Sequence, residues 1–183
     1  MRDEMEKGIL ISGTGGQGIV AAGEFLSDAL FKAGYEVINS RSYGSEARGG
    51  SCRSEVLVSD EEIYNLRLGD ADILIILSVP AFRRYLERAK RGALVLVDSK
   101  VIEEVGGKAK REDVDTIVVP ATKTAIGLGN AIVANMVLLG ALSARHPDLI
   151  SIAQLKEAIR DGMRPSMQEI NLKALDEGYS LAG

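Results

Sequence analysis

Cysteine and histidine are almost missing from this chain of 183 residues: there is one of each, Cys52 and His146. A single cysteine forbids an intramolecular disulfide and excludes a structural cysteine-rich zinc site, and a single histidine gives no basis for a histidine-built one. No residue is therefore assigned to a metal. Tryptophan is absent, and the other aromatics are three Phe and five Tyr, so the core is aliphatic. Positive charge is also in deficit, with a net charge of −4. That argues against nucleic acid and against an anionic membrane surface. The first apolar run is short and breaks at Ser12-Gly13, so no signal peptide fits and a cytoplasmic, reduced setting is the expectation. There is no internal repeat, low-complexity tract or long linker. What remains is 46% hydrophobic with mixed charge, which predicts one globular domain over residues 1–183.

Glycine is plentiful, and its most informative cluster is Gly13-Thr14-Gly15-Gly16-Gln17-Gly18. The cluster follows the apolar run Ile9-Leu10-Ile11 and opens a helical pattern, so its context is strand, glycine turn, helix. Such glycines permit a tight turn, close backbone approach to a ligand and close helix-on-strand packing. The unpaired N–H groups of a helix start favour an anion, most often a phosphate. From Gln17 to Ala33, Ile19, Ala22, Leu26, Leu30 and Ala33 share one face and Glu24, Asp28 and Lys32 another, with Gly34 as the stop. Tyr35 to Asn39 reads as a second strand, giving a β-α-β unit with a parallel pair. A dinucleotide site usually places Asp or Glu at the end of that strand. This chain has Asn39, Ser40 and Arg41 there, so ordinary dinucleotide binding is disfavoured.

A polar loop follows, Ser40 to Ser54, with Arg41, Arg48 and Arg53 and the pair Gly49-Gly50. A loop this long in a compact domain is more often functional than idle, and arginine offers a planar fork for phosphate or carboxylate. In a doubly wound sheet it lies beside the first glycine turn, where ligands collect. Further strands are predicted at Ser54–Ser59, with Val56 and Val58 on one face, and at Ile73–Val79, Ala93–Val97 and Thr116–Val119. Pro80 starts a helix in which Tyr85 and Leu86 face inward. Arg83, Arg84, Glu87, Arg88, Lys90 and Arg91 form a solvated face, with docking of an acidic protein as the alternative. Lys100 to Glu112 reads as a polar surface excursion. Thr124 to Ala144 holds no charged residue; it reads as a helix buried on both sides, by the sheet and by a partner subunit, and not as a membrane span. Asn130 and Asn135 within it need partners. Ser151 caps a helix over Ile152–Arg160, and a last helix runs from Met167 to Glu177 and ends at Gly178. The pattern is that of an α/β protein: a three-layer α/β/α Rossmann-like domain with a mostly parallel sheet.

The three marked stretches together resemble the γ subunit, or fused γ domain, of 2-oxoacid:ferredoxin oxidoreductases. The resemblance rests on Gly13-Thr14-Gly15-Gly16-Gln17-Gly18, on Ser42-Tyr43-Gly44-Ser45-Glu46-Ala47-Arg48-Gly49-Gly50 leading into Ser54-Glu55-Val56, and on Gly129-Asn130 through Leu139-Gly140-Ala141-Leu142. It covers nearly the whole chain in order. It implies an accessory subunit of an enzyme that oxidatively decarboxylates a 2-oxoacid with coenzyme A to acyl-CoA, carbon dioxide and reduced ferredoxin. Thiamine diphosphate, magnesium and iron–sulfur clusters are then expected on partner α, β and, where present, δ subunits, with ferredoxin reached through the complex. One cysteine agrees, since it cannot hold a four-cysteine cluster. Coenzyme A is the expected co-substrate near this subunit, with Gly13, Gly15, Gly16, Gln17, Gly18, Tyr43, Glu46, Arg48, Gly49, Gly50 and Asn130 as the cofactor-binding set, in contact with cofactor or with the catalytic subunit. The run Arg53-Ser54-Glu55-Val56 looks most like the small γ subunits of 2-oxoglutarate-type enzymes; pyruvate, oxoisovalerate and indolepyruvate types remain open. Ser45 stands where the family often has Pro, which loosens the loop. Cys52 stands where many relatives carry a small residue, and reads as packing. No acid–base pair or nucleophile triad is visible, so no catalytic residue is assigned. A chain built for a complex is expected to expose an apolar patch or to form homodimers when isolated. The alternative is a free-standing Rossmann-like nucleotide-binding module, for which only Arg41 offers a ribose contact.

Overall fold

The computed structural model describes residues 5–42, 50–106 and 111–183. The apolar run becomes β1 (Glu6–Thr14), its centre buried on both faces. Helix α1 (Ile19–Lys32) follows, burying Ile19, Ala22, Leu26, Ala29 and Leu30 along one stripe, which is the spacing of a 3.6-residue repeat. Gly34, at φ +97°, turns the chain into β2 (Glu36–Ser42) and then β3 (Ser51–Ser59). After β4 (Ala71–Ile76), Ser78 accepts from the Ala81 N–H to cap α2 (Val79–Tyr85), and Pro80 sits in its first turn. A 3₁₀ turn over Leu86–Arg88 leads to β5 (Ala89–Asp98) and α3 (Ser99–Val105). The rest is β6 (Asp115–Val119), α4 (Ala121–Gly127), a 3₁₀ turn over Ala131–Val133, α5 (Ala134–Arg145), α6 (Ile152–Gly162) and α7 (Pro165–Ala182).

The six strands form one sheet in the order β2-β3-β1-β4-β5-β6. Pairs β1–β4, β4–β5 and β5–β6 are parallel. Strand β3 runs antiparallel to both β1 and β2. One face of the sheet packs its Ile9, Ile11, Val56, Ile73 and Leu96 against α1, α4, α5, α6 and α7. The other face packs Leu10, Leu57, Leu74, Val95 and Val97 against α2 and α3. The expected three-layer α/β/α arrangement is therefore present. Each fully buried Ile or Leu contributes about 1.5–3 kcal/mol by removal from water, and the two clusters supply the aliphatic core that a Trp-free chain requires.

Five expectations are corrected. β1 and β2 are not a hydrogen-bonded pair, because β3 lies between them. Val56, Leu57 and Val58 make β3 apolar on both faces, which suits an interior strand, whereas β2 carries polar residues and takes the edge. The helix after Pro80 ends at Tyr85, so Lys90 and Arg91 lie on β5. The stretch from Lys100 is not merely an excursion: Asp98 accepts from the Lys100 N–H and Val101 is buried, which together set a helix. The outer side of α5 is covered by α7 of the same chain, not by a partner subunit. Finally, α7 continues through Gly178 to Ala182. Gly178 is an interior helix residue there because a Cβ on it would collide with the Val137 carbonyl.

Candidate functional site

The glycine turn sits at the C-terminal end of β1 and is held by one side chain. Gln17 Oε1 accepts from the Thr14 N–H at 2.8 Å and from the Thr14 hydroxyl at 3.1 Å. Its Nε2 donates to the Leu77 carbonyl at 2.9 Å. The amide therefore ties the turn after β1 to the turn after β4. Gly16 and Gly18 have φ of +89° and +68°, values that L-residues with a Cβ adopt at a cost. Gly18 is the N-cap of α1, and no side chain caps it. Its carbonyl accepts from Asn135 Nδ2 at 2.9 Å, which joins the helix start to α5. Gly13 is buried, and a Cβ there would stand 2.6 Å from Gln17 Oε1 and 2.7 Å from Ile19 Cδ1. Gly15 is exposed and has nothing within 4 Å of such a Cβ.

These turns form one wall of a cleft of about 420 Å³, within the size range of small-molecule sites. Thr14, Gly16 and Gln17 line it after β1; Leu77, Ser78, Val79 and Pro80 after β4; Lys100, Val101 and Glu104 from α3; Thr122 from α4; and Ala131 and Ile132 beyond. It thus opens at the carboxyl ends of the parallel strands, the usual ligand position in such sheets. Asp98, at the end of β5, is buried to 1% exposure. It accepts from the Thr122 hydroxyl and N–H and from the Lys100 N–H, so its charge is spent on fixing the turns that carry Thr122 and Lys100. Gly50 is half-buried directly before Ser51, which pairs with Thr14 across β3 and β1. The loop thus rejoins the sheet beside the glycine turn. Tyr43, Glu46, Arg48 and Gly49 lie outside the described residues.

Asn130 is brought near the cleft through its neighbours Ala131 and Ile132, and its own Oδ1 accepts from the Ile132 N–H at 3.1 Å. Cys52 pairs with Gly13 across the strands and is 5% exposed; burial pushes its thiol up, which disfavours the nucleophilic thiolate. The residues weighed for a ribose are engaged elsewhere: Asn39 Oδ1 accepts from the Ser54 hydroxyl at 2.8 Å, and Arg41 pairs with Glu24. Among the described residues there is no group of three or more His, Cys, Asp or Glu placed to hold a metal ion, and no helix is long and apolar enough to cross a membrane. Thr122 and the Leu77–Ser78 turn carry no functional motif in the sequence; for Asp98 the available signal is an Asp-Ser pair closing an apolar strand, a capping pattern.

A profile of the pyruvate ferredoxin/flavodoxin oxidoreductase family matches residues 8–181. The 2-oxoglutarate synthase subunit KorC of Methanothermobacter thermautotrophicus is 38% identical over 97% of this chain and 96% of its own length. The crystal structure of the keto/oxoacid ferredoxin oxidoreductase gamma subunit from Geobacter sulfurreducens superposes with a TM-score of 0.82 at 33% identity, covering 96% of this chain and 98% of that one. The 2-oxoglutarate:ferredoxin oxidoreductase from Magnetococcus marinus, solved with 2-oxoglutarate, coenzyme A and succinyl-CoA bound, has a TM-score of 0.82 at 30% identity. It covers 97% of this chain but only 31% of the longer Magnetococcus chain. The chain belongs to the pyruvate ferredoxin/flavodoxin oxidoreductase family.

Proposed function

We propose that the glycine-turn cleft is the coenzyme A side of a 2-oxoacid:ferredoxin oxidoreductase of the 2-oxoglutarate type. The chain is an accessory, γ-type subunit of such an enzyme, and its full-length match to single-subunit relatives supports that role. The observation that carries the reading is the cleft itself. It joins the glycine turn, whose Gly16 at positive φ lies two residues before the uncapped start of α1, to the turns after β4, β5 and β6, an arrangement suited to a phosphate-bearing ligand. A related protein that binds coenzyme A has the same fold over this length. Gly16 and Gln17 line the cleft, and Gly13, Gly15 and Gly18 complete the turn behind it. Tyr43, Glu46, Arg48, Gly49, Gly50 and Asn130 are proposed contacts to coenzyme A or to the catalytic subunit. Decarboxylation and electron transfer belong to partner α, β and, where present, δ subunits, which would supply thiamine diphosphate, magnesium and iron–sulfur clusters.

The test is anaerobic co-purification of the tagged chain from its native host. The expected result is recovery of thiamine- and iron–sulfur-binding subunits with activity that requires 2-oxoglutarate, coenzyme A and ferredoxin. Comparison with pyruvate, 2-oxoisovalerate and indolepyruvate assigns the substrate. Recovery of the chain alone under conditions that preserve complexes overturns the reading.

A further inference from the structure

The face of β3 turned toward α2 is polar at one end. Ser51, Arg53, Glu55 and Leu57 share it by alternation; Leu57 joins the apolar layer, and Ser51 is also buried, at 7% exposure. Arg84, on α2, donates from Nη1 to Ser51 Oγ at 3.0 Å. Arg53 donates from Nη1 to the Tyr85 hydroxyl at 3.4 Å, and that hydroxyl lies 3.3 Å from Ser51 Oγ. The guanidinium carbons of Arg53 and Arg84 stand 5.8 Å and 5.6 Å from the same Tyr85 ring centroid. Two cations thus converge on two neutral hydroxyls. The nearby carboxylate is Glu55, whose Oε1 accepts from Arg88 Nη1 at 2.6 Å. Arg53 Nε is 3.1 Å from that oxygen but makes no hydrogen bond with it, and it is a buried polar atom without a partner. Among the described residues, Arg53 and Arg88 therefore share one carboxylate, and Arg84 has no carboxylate partner.

We infer that Arg53, Arg84, Ser51 and Tyr85 form a subsite for a phosphate monoester at the rim of the glycine-turn cleft. The placement follows from two registers. Ser51 is paired with Thr14, which lines the cleft. Arg84 is four residues beyond Pro80, which also lines it, so the two lie on one face of α2 about one turn apart. The donor set favours a tetrahedral oxyanion over a carboxylate. Two guanidinium forks and two hydroxyls approach from the strand and the helix, whereas a planar carboxylate is satisfied by one fork. Tyr85 is 3% exposed, and its ring holds both guanidiniums by cation–π contact, so the site is preorganised. Naming the ligand rests on the coenzyme A reading above: the phosphate is then the terminal monoester on the coenzyme A ribose, with the rest of the molecule running into the cleft.

Two experiments separate the subsite from that reading. In the first, the full chain is titrated with inorganic phosphate while the arginine Nε–Hε signals are followed by NMR, with chloride at matched ionic strength as the control. Phosphate-selective shifts at Arg53 and Arg84, lost in Arg84→Gln and retained in part in Arg84→Lys, are expected. Equal responses to chloride, or an Arg53 shift that survives Arg84→Gln, overturn the subsite. In the second, the assembled enzyme is assayed with coenzyme A and with 3′-dephospho-coenzyme A. The subsite predicts a preference in kcat/KM of about tenfold, the scale of one charge-assisted contact, and collapse of that ratio toward unity in Arg84→Gln. Selective phosphate shifts with a ratio indifferent to Arg84 support the subsite and overturn coenzyme A as its ligand.

Discussion

At the scale of single residues, Gln17 and the glycines around it carry different burdens. Gly18 has φ +68°, and a Cβ there would stand 2.5 Å from Asn135 Nδ2. Gly18→Ala is expected to cost about 2 kcal/mol, mostly the left-handed backbone penalty. Gly15→Ala meets nothing within 4 Å and should stay within about 0.5 kcal/mol of the parent. Urea midpoints of the isolated chain distinguish the two, and equal midpoints would refute the assignment of strain to Gly18. Gln17 makes three hydrogen bonds with one amide. In Gln17→Glu the carboxylate still accepts from Thr14 but cannot donate to the Leu77 carbonyl, so a loss of about 1–3 kcal/mol is expected at neutral pH. Protonating the new carboxyl restores a donor, so the deficit against the parent should shrink as pH falls through the carboxyl range. A deficit independent of pH would mean that the Leu77 bond is immaterial. The glycine run was legible in the sequence as a turn, but which glycine is strained and which is merely exposed depends on φ angles and neighbours that no spacing reveals.

At the scale of elements, α5 packs on α7 with their backbones in contact. A Cβ on Gly140 would strike the Leu175 carbonyl, and one on Gly178 the Val137 carbonyl. Both glycines are there so that the two backbones can touch. Gly178→Ala must push the helices apart and should destabilise by about 1–3 kcal/mol or more, although alanine is the better helix former. A rise in stability in thermal denaturation would contradict the backbone contact. At the end of α5, the His146 N–H donates to the Leu142 carbonyl. Burial, with Lys7 and Arg145 nearby, holds its imidazole below the ordinary value of 6.5, against the opposing pull of Asp115 and Asp148. A depressed folded value means that the native state favours neutral histidine. Its stabilising contribution is present above pH 6.5 and is lost as pH falls through the lower folded value. The Tm of the parent should therefore fall more steeply than that of His146→Gln on acidification below pH 6.5; parallel curves would exclude the effect. The uncharged stretch announced a helix buried on both sides. The partner on the second side was α7, which carries charges on its outer face and gave no sign of its docking surface.

At the scale of the whole molecule, the cleft is assembled from turns after four strands and from α3, segments far apart in sequence. Its described residues offer backbone, hydroxyls, one lysine and one glutamate; no His or Cys lines it, and the Thr122 hydroxyl is tied to Asp98. The isolated chain is accordingly expected to turn over no 2-oxoacid with coenzyme A and ferredoxin. Activity should appear only when partner subunits are added back, in an anaerobic ferredoxin-reduction assay. A rate above the no-protein blank for the chain alone would sink the accessory role.

The sequence by itself determined the layers, because they follow from local periodicity. Apolar runs of five or six residues make strands buried on both faces, the stripe of Ile19, Ala22, Leu26 and Leu30 makes a helix, and Pro80 and Ser151 start others. It also pointed to the glycine turn that lines the proposed ligand cleft, since a turn between strand and helix carries its own N–H groups. Tertiary structure alone decided the rest. Strand order placed β3 between β1 and β2, because competition for the sheet interior is settled by every strand at once. Long-range pairing set Ser51 beside Thr14 and brought Arg84 to Ser51 across 33 residues. Contacts of that kind arise from register and packing between elements, to which the pattern within any one element is blind.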